Sequence, residues 1–413
     1  KGLEEIAFAR AGSVVAGLFD GETFVRGFRE LVALGCISPR VIRKDVASLM
    51  WAKRALPYFG AAGAEARKLA TTLRAVEGSE WHRILALVDA EAENEREDLS
   101  VFRYKYWKWR GHWVRYAEGG KEDGEPVVMV HGFGASADQW ERVMSRLHAD
   151  HRVFAIDKLG FGHSEKPELT YTQYLWERNV QDFCLEVVGR PVFLAGNSIG
   201  GYTALGAATA LSSAKGLVLI NSAGRMVDRD VYASEQEAMG GQTLRAVMEA
   251  QGLPPSKSPP QWLLDGAGNL AIALLRSNVE GFCKKVYPNF PDMVDDRLVA
   301  NIIRDSKDPG GYSVLASGAK LPPPRTKNEL FAEFARPLLV TQGLNDPLGG
   351  GISKTRFALY EQAHPEPGMV RLVGLEAGHC PHHETPEEVS NAIRSFVREV
   401  AAGSLLREET LAR

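Results

Sequence analysis

The sequence predicts an α/β fold in which a mostly parallel sheet is flanked by helices. Short apolar runs of strand length, at residues 127–130, 192–195, 217–220 and 338–340, are separated by longer segments with helical apolar spacing. Three of these runs lead into a glycine-rich or polar turn. Ligands of open parallel sheets bind beyond the carboxyl ends of the strands, so the turns are where we expect functional residues.

The first turn is His-Gly-Phe-Gly, at residues 131–134. A strand that ends in His-Gly-x-Gly supplies one backbone donor of an oxyanion hole in hydrolases with a serine nucleophile. Phe133 is the residue whose N–H we expect to bind the oxyanion. We expect His131 to hold the loop by hydrogen bonding and to transfer no proton.

The second turn contains Ser198 in the pattern Gly-x-Ser-x-Gly, between an apolar strand and an Ala-rich helix. This pattern is typical of a nucleophile on a strained strand-to-helix turn. Glycine is needed there because neighbouring backbone passes too close for a Cβ. Ile199 then begins the helix, so its N–H is the second expected oxyanion donor.

Two later turns supply the remaining chemistry. Asp346 follows the strand at residues 338–341, and His379 follows the strand at residues 370–373. The chain order is therefore serine, aspartate, histidine, each just after a strand, as expected for a nucleophile, an orienting acid and a general base. The His-Gly-x-Gly turn, the serine turn, the aspartate and the histidine all occur in the expected order. We therefore do not regard the serine pattern as a chance match.

The residue types define a mechanism. A serine hydroxyl is a poor nucleophile near neutral pH, so His379 must accept its proton while Asp346 orients the imidazole. Each oxyanion donor in comparable sites contributes roughly 3–4 kcal/mol to the transition state. Serine at position 198, where dehalogenases and epoxide hydrolases carry a carboxylate nucleophile, favours a carboxylic ester substrate. The mechanism requires no metal and no organic cofactor.

Residues from about 100 to 400 resemble the α/β-hydrolase superfamily, in its epoxide-hydrolase-like and dehalogenase-like branch. Within it, the chain is similar to plant and algal chloroplast hydrolases such as chlorophyll dephytylase and pheophytinase, and to the hydrolase part of plant photolyase-like fusion proteins. The closer likeness is carried by residues 106–112, 131–135, 157–167, 196–202, 221–224 and 377–382. His383 departs from the subgroup, which usually has an acidic residue at that place.

The resemblance implies an eight-stranded sheet, a helical cap, a hydrophobic ester substrate and a chloroplast location in the stroma or at the thylakoid surface. The phytyl ester of chlorophyll-type pigments is the implied substrate, and a lipid acyl ester, cleaved by an esterase or lipase, is the alternative. A second class of function also stays open. The hydrolase domain could serve as a binding or assembly subunit of a photosynthetic complex.

Composition narrows these readings. The chain has 413 residues, more than a single hydrolase domain of roughly 250–300 residues needs. A net charge of −3 argues against a nucleic-acid partner. The four cysteines lack paired or metal-ligand spacing, which predicts free thiols in a soluble reducing compartment. Because the sequence begins at Lys1, we expect a processed precursor or a truncation.

The chain divides into three expected parts. Residues 1–100 are Ala-rich and predict an N-terminal helical extension, which is the candidate for contact with a membrane surface or a protein complex. The hydrolase core takes residues 101–225 and 330–402. Residues 226–329 form a long insertion with apolar helical faces, which we expect to be a helical cap that buries the apolar part of the substrate.

Several residues near the site suggest alternatives that we disfavour. His382 and His383 resemble a metal pair, but they flank a tight turn and we expect a loop-stabilising or solvent-facing role. Cys380 adjoins His379, but because of the serine turn we expect Ser198, and not this cysteine, to be the nucleophile. Thr385, followed by Pro386 and two glutamates, predicts a capping box at the start of the last helix.

Overall fold

A computed structural model describes residues 101–242, 246, 260–308, 310–317, 325–349 and 353–404 of the chain. The helical extension expected at residues 1–100, which includes Cys36, lies outside these ranges. Pro254, Pro255 and Pro259 of the insertion also lie outside them.

The described residues form one eight-stranded sheet. In chain order, β1 to β8 are Phe102–Trp109, His112–Gly120, Glu125–Val130, His151–Ile156, Val192–Asn197, Ala214–Ile220, Leu338–Gly343 and Val370–Leu375. Their spatial order is β1-β2-β4-β3-β5-β6-β7-β8. β2 pairs antiparallel with β1 and β4, and the other neighbouring strands run parallel. The predicted α/β fold with a mostly parallel eight-stranded sheet is therefore confirmed.

The central strands are apolar on both faces, because helices cover both sides of the sheet. In β3, Val127 and Met129 belong to one buried apolar cluster, whereas Val128 and Val130 belong to the other. All four side chains have no exposed surface. This continuous burial explains why the strand is a short apolar run in the sequence and shows no alternation of polar and apolar residues.

The described helices surround this sheet. The helices α1 to α12 are Glu141–Leu147, Gln173–Phe183, Ile199–Ala210, Arg229–Ala238, Gln261–Arg276, Val279–Val286, Asp296–Asp305, Tyr312–Ala316, Lys327–Glu333, Ser353–Ala363, Pro381–Glu384 and Pro386–Ala401. None of the helices in the described ranges combines the length and apolar composition required to span a bilayer.

The segment between β6 and β7 contains α4 to α9. The last of these, α9, begins with a capping box in which Thr326 and Glu329 bond to each other's backbone N–H groups. Leu330 and Phe331 of α9 are fully buried in the cluster on one face of the sheet. The expected boundary between cap and core, at residues 329 and 330, falls inside this helix.

The prediction of a capping box at Thr385 is wrong. The Thr385 side chain makes no capping bond to the first turn of α12. Its N–H and its hydroxyl both donate to the Pro381 carbonyl, at 2.8 and 3.2 Å. The short helix α11 ends immediately before α12 and leaves Thr385 with ψ of 60°, outside the extended backbone that an N-cap residue usually has.

Candidate active site

Ser198 lies on a sharp turn between β5 and α3. Its backbone has φ of 55° and ψ of −125°, a conformation that a residue with a side chain rarely adopts. A Cβ on Gly196 would lie 2.4 Å from the Gly200 carbonyl oxygen, so the turn requires glycine. Ile199 is the first residue of α3, where N–H groups have no acceptor within the helix.

The loop at residues 131–134 packs directly against this turn. A Cβ on Gly132 would lie 3.4 Å from the Ser198 Cβ, and a Cβ on Gly200 would lie 2.3 Å from the His131 carbonyl oxygen. The two glycines thus allow two backbone segments to meet beside the serine. Phe133 follows Gly132, and its side chain is 49% exposed beside the turn.

His131 is buried and bonded through both ring nitrogens. Nδ1 lies 2.7 Å from the Gly132 carbonyl oxygen, and Nε2 accepts a 3.0 Å bond from the Lys158 N–H. Because Nε2 accepts, Nδ1 carries the proton and donates. Burial, together with the nearby charge of Lys158, holds the pKa of His131 well below its usual range. His131 is neutral and makes the loop-holding bonds that the sequence led us to expect.

Asp346 and His379 are in direct contact. Nδ1 of His379 lies 2.9 Å from Oδ2 of Asp346. The other carboxylate oxygen accepts a 2.9 Å bond from the Leu348 N–H. Burial raises the pKa of Asp346, but hydrogen bonds from His379 and Asn221 outweigh burial and hold that pKa below its ordinary value. The carboxylate is therefore kept ionised and can orient the imidazole.

Asn197 connects the serine turn to the histidine loop. Its side-chain amide donates to the His379 carbonyl oxygen at 2.9 Å and to the Ile220 carbonyl oxygen at 3.2 Å. Ser198, Asp346 and His379 follow β5, β7 and β8, which lie close together in the sheet. The three residues therefore follow strands whose carboxyl ends lie at the same edge of the sheet, and His379 and Asp346 are in contact there.

Two further residues support the site, and sequence reasoning gave them no role. Asn221 donates to Asp346, and Glu384 accepts N–H bonds from Gly378 at 3.0 Å and Cys380 at 3.3 Å. Glu384 thereby clamps the loop on both sides of His379. The available signal for Asn221 was its position directly after a predicted strand, while Glu384 had no signal beyond its nearness to His379.

His382 and His383 are both buried, so the solvent-facing alternative is wrong. The ring of His382 packs on Trp140 with centroids 4.3 Å apart, and the ring of His383 packs edge-on against Tyr287 at 5.7 Å. Burial lowers the pKa of His383 to about 3. Both histidines are neutral packing residues of α11.

Among the described residues, no group of three or more histidine, cysteine, aspartate or glutamate side chains is placed to hold a metal ion. Cys184, Cys283 and Cys380 are buried free thiols. Burial raises the pKa of Cys283 to about 11 and that of Cys380 further still. A thiol in this state is a poor nucleophile.

An apolar cleft opens beside Phe133. Its floor is the core loop that contains Phe161. Ile272 and Leu275 of α5 and Val279 of α6, from the expected cap between β6 and β7, also line the cleft. The cleft lies between the expected oxyanion loop and the insertion, where an apolar part of a substrate can be bound.

Polar contacts join the cap helix α7 to the core next to this cleft. Arg297 pairs with Glu141. Asn301 donates to Asp138 at 3.0 Å, and Arg142 of the core pairs with the cap residue Asp295 at 3.0 Å. Burial, reinforced by the charge of Asp138, raises the pKa of Glu141 to about 7.

Comparison with known proteins agrees with this architecture. Residues 127–392 match the alpha/beta hydrolase family, and the chain belongs to that family. A 2-hydroxy-6-oxo-6-(2'-aminophenyl)hexa-2,4-dienoic acid hydrolase from Metapseudomonas resinovorans is 38% identical over 145 residues, which cover 34% of this chain and 49% of the relative. Pheophytinase from Arabidopsis thaliana chloroplasts is 31% identical over 165 residues, which cover 32% of this chain and 34% of the relative.

The chain spans half or less of the length of these two curated relatives. Among solved structures, a membrane phospholipase A described as a bacterial virulence factor superposes with a TM-score of 0.55 at 19% identity. That match covers 81% of this chain and 98% of the other. At this identity the likeness shows a shared fold, and the chain is an α/β hydrolase.

Proposed function

We propose that this hydrolase is a serine esterase that cleaves a carboxylic ester of a bulky hydrophobic substrate. Ser198 is the nucleophile, His379 the general base and Asp346 the residue that orients the base. The observation that carries the proposal is the 2.9 Å bond between His379 and Asp346. It lies at the edge of the sheet where Ser198 occupies a strained turn.

The reaction proceeds through an acyl-enzyme. Ser198 attacks the ester carbonyl while His379 takes its proton, and the imidazolium then protonates the leaving alkoxide. The N–H groups of Phe133 and Ile199 bind the oxyanion that forms in each half-reaction. Water activated by His379 then releases the acid and restores the serine.

The apolar cleft beside Phe133 supports a substrate with a long or bulky apolar group. A pheophytinase among the relatives favours the phytyl ester of a chlorophyll-type pigment, and a chloroplast location follows from that choice. A lipid acyl ester is the second candidate, because a fatty-acyl chain is also long and apolar. A hydrolase fold used only for binding or assembly would not need the bond between His379 and Asp346.

A fluorophosphonate probe tests the nucleophile, because the probe labels only an activated serine. We expect the parent to be labelled and Ser198→Ala to be unlabelled and inactive, with an unchanged unfolding transition. Ser395→Ala, a matched change on the exposed side of α12, should behave as the parent does. Labelling of Ser198→Ala equal to that of the parent would contradict the assignment.

Product analysis then tests the substrate. The pure protein is incubated with phytyl esters of chlorophyll-type pigments and, in parallel, with galactolipids, and phytol and fatty acid are quantified. Phytol release that depends on Ser198 supports the pigment ester, while fatty-acid release supports the lipid alternative. A parent that is labelled by the probe but releases neither product would leave the esterase chemistry standing and refute both substrates.

A further inference from the structure

Lys158 is a fully buried lysine two residues after the end of β4. Within the described part of the chain, its amine has no hydrogen-bond partner. The amine lies 5.2 Å from the ring centroids of both Phe161 and Trp176. An ammonium group at this distance is attracted by the π electrons of an aromatic ring, so the two rings take the place of the missing acceptors.

Phe161 lies between this amine and the loop at residues 131–134. Its ring centroid is 5.5 Å from that of Trp176 and 5.3 Å from that of His131. It also contacts Phe133 edge-on, with centroids 5.8 Å apart. Phe161 therefore contacts both the Lys158 amine and Phe133, the residue whose N–H is the proposed oxyanion donor.

Lys158 also reaches the loop through its backbone, which donates the 3.0 Å bond to His131. Burial lowers the pKa of Lys158 to about 7. Burial and the Lys158 charge lower the pKa of His131 and keep it neutral. Two smaller effects on this pKa come from Asp138, which raises it, and Arg115, which lowers it. The amine is therefore the group in this cluster whose charge changes near neutral pH.

We propose that Lys158 is a positioning residue for the proposed ester hydrolysis. Its ammonium group holds Phe161 between itself and Phe133, and so keeps the oxyanion loop in the geometry that binds the developing charge. This inference rests on the proposed function. Lys158 does not touch the reacting atoms. When the amine loses its proton, its attraction to Phe161 and Trp176 weakens and the loop loses this restraint.

The test compares Lys158→Met, which keeps side-chain length and removes the charge, with Lys108→Met. The Lys108 amine also lies over an aromatic ring, 5.8 Å from Trp113, but it is on the exposed face of β1. For a soluble ester we expect Lys158→Met to lower kcat about tenfold to a hundredfold, with KM within about twofold, because small misplacements of catalytic groups slow reactions this much. Lys108→Met should match the parent.

The pH profile separates positioning from a merely structural role. The parent kcat should decline as pH rises above about 7, where the amine loses its charge, and Lys158→Met should lack this alkaline decline. If Lys158→Met does not fold, Phe161→Leu replaces it and should show the same two effects. Parent kcat that stays level to pH 9, or a variant profile parallel to that of the parent, would overturn the proposal.

NMR of protein labelled with ¹³C at lysine Cε gives a readout that needs no substrate. One resonance should titrate near pH 7 in both the parent and Ser198→Ala, and it should shift in Phe161→Leu. Its absence would overturn the placement of Lys158 even in an active enzyme. A parent that shows this resonance but fails to react with the fluorophosphonate would instead refute the proposed function and the catalytic role of Lys158 with it.

Discussion

The side-chain amide of Asn221 donates a 2.8 Å hydrogen bond to Oδ2 of Asp346, the same oxygen that contacts His379. Asn221 follows β6, which separates the strand of the serine from the strand of the acid. Its amide also donates to the Gly378 carbonyl oxygen at 3.2 Å, and its oxygen accepts from the Gly343 N–H at 2.8 Å. The Asn221 side chain therefore connects Asp346 to the end of β7 at Gly343 and to the histidine loop at Gly378.

The first prediction concerns this link. Asn221 has φ of 42°, so Asn221→Gly removes the amide while keeping a backbone conformation that glycine adopts freely. We expect kcat to fall about tenfold to a hundredfold because the acid and the histidine lose their fixed orientation. Steady-state kinetics with a soluble ester measure the change.

A neighbouring asparagine is the control for this experiment. Asn345 directly precedes the acid, but its amide donates to Asn289 at 3.0 Å and Glu376 at 3.2 Å, in exposed contacts. Asn345→Ala should therefore keep a rate close to that of the parent. Equal losses in the two variants would mean that the loop as a whole, and not the bond from Asn221, orients Asp346.

The second prediction concerns the close approach of two backbones at the serine turn. A Cβ at Gly200 would lie 2.2 Å from the Val130 carbonyl oxygen, and backbone cannot move aside as a flexible side chain can. We expect Gly200→Ala to lower the free energy of unfolding by about 2–3 kcal/mol or more. Urea unfolding followed by circular dichroism measures it.

Gly266 provides the matched control, because a Cβ there would meet nothing within 4 Å. It lies exposed in the interior of α5. Gly266→Ala should raise the free energy of unfolding by about 0.5–1 kcal/mol, the usual difference in helix propensity. A Gly200→Ala protein as stable as the parent would show that the oxyanion loop and α3 can separate.

The sequence was informative where function depends on local geometry. The strand ends and the glycines around Ser198 follow from short patterns, and in the structure Ser198, Asp346 and His379 each follow a strand. The residues that hold the candidate catalytic side chains in place could not be predicted in this way. Asn221 and Asp346 are 125 residues apart, and no periodicity or turn pattern relates them. Their contact follows only from the order of the strands.

Thr385 illustrates the opposite failure. Its sequence context satisfies a capping rule, yet the preceding helix α11 leaves its backbone with ψ of 60°, away from the extended conformation of an N-cap residue. A capping pattern forms a cap only where the neighbouring element leaves that residue an extended backbone. A complete capping box is present at Thr326, where the Thr326 hydroxyl accepts from the Glu329 N–H and the Glu329 carboxylate accepts from the Thr326 N–H.

The third prediction concerns Glu141, which contacts cap helix α7 through Arg297. The folded protein holds the pKa of Glu141 at about 7, above an unfolded value of about 4.3, so the folded state binds this proton more tightly. The contribution of this raised pKa to the free energy of unfolding is fully present below the pKa of Glu141 in the unfolded chain. It is lost as pH rises through the pKa of Glu141 in the folded protein. Stability attributable to Glu141 therefore declines from about pH 4 to pH 8.

Glu141→Gln keeps the shape of the side chain and carries no charge at any pH. We expect it to be more stable than the parent by about 1–3 kcal/mol at pH 8 and nearly equal to it at pH 4.5. Glu122→Gln, at an exposed turn, should show no such pH-dependent difference. Urea unfolding at both pH values decides the matter, and a constant difference between Glu141→Gln and the parent would contradict the assigned pKa.

The last prediction concerns selection of the apolar group by the cleft under the cap. Ile272 lines the cleft beside Phe133, whereas Leu274, two residues later on α5, is 64% exposed. Ile272→Trp should fill part of this cleft, while Leu274→Trp adds the same ring on the solvent side. The two variants therefore differ in where the ring is placed and not in its chemistry.

We expect Ile272→Trp to lower kcat/KM for a laurate ester about tenfold to a hundredfold, as apolar pockets discriminate by size on this scale, and to change kcat/KM for an acetate ester by less than about threefold. The short ester needs only the nucleophile, its base and the oxyanion donors. Leu274→Trp should leave both esters unaffected. Parallel assays with p-nitrophenyl acetate and laurate measure the ratio, and equal losses on the two esters would mean that the apolar group binds outside this cleft.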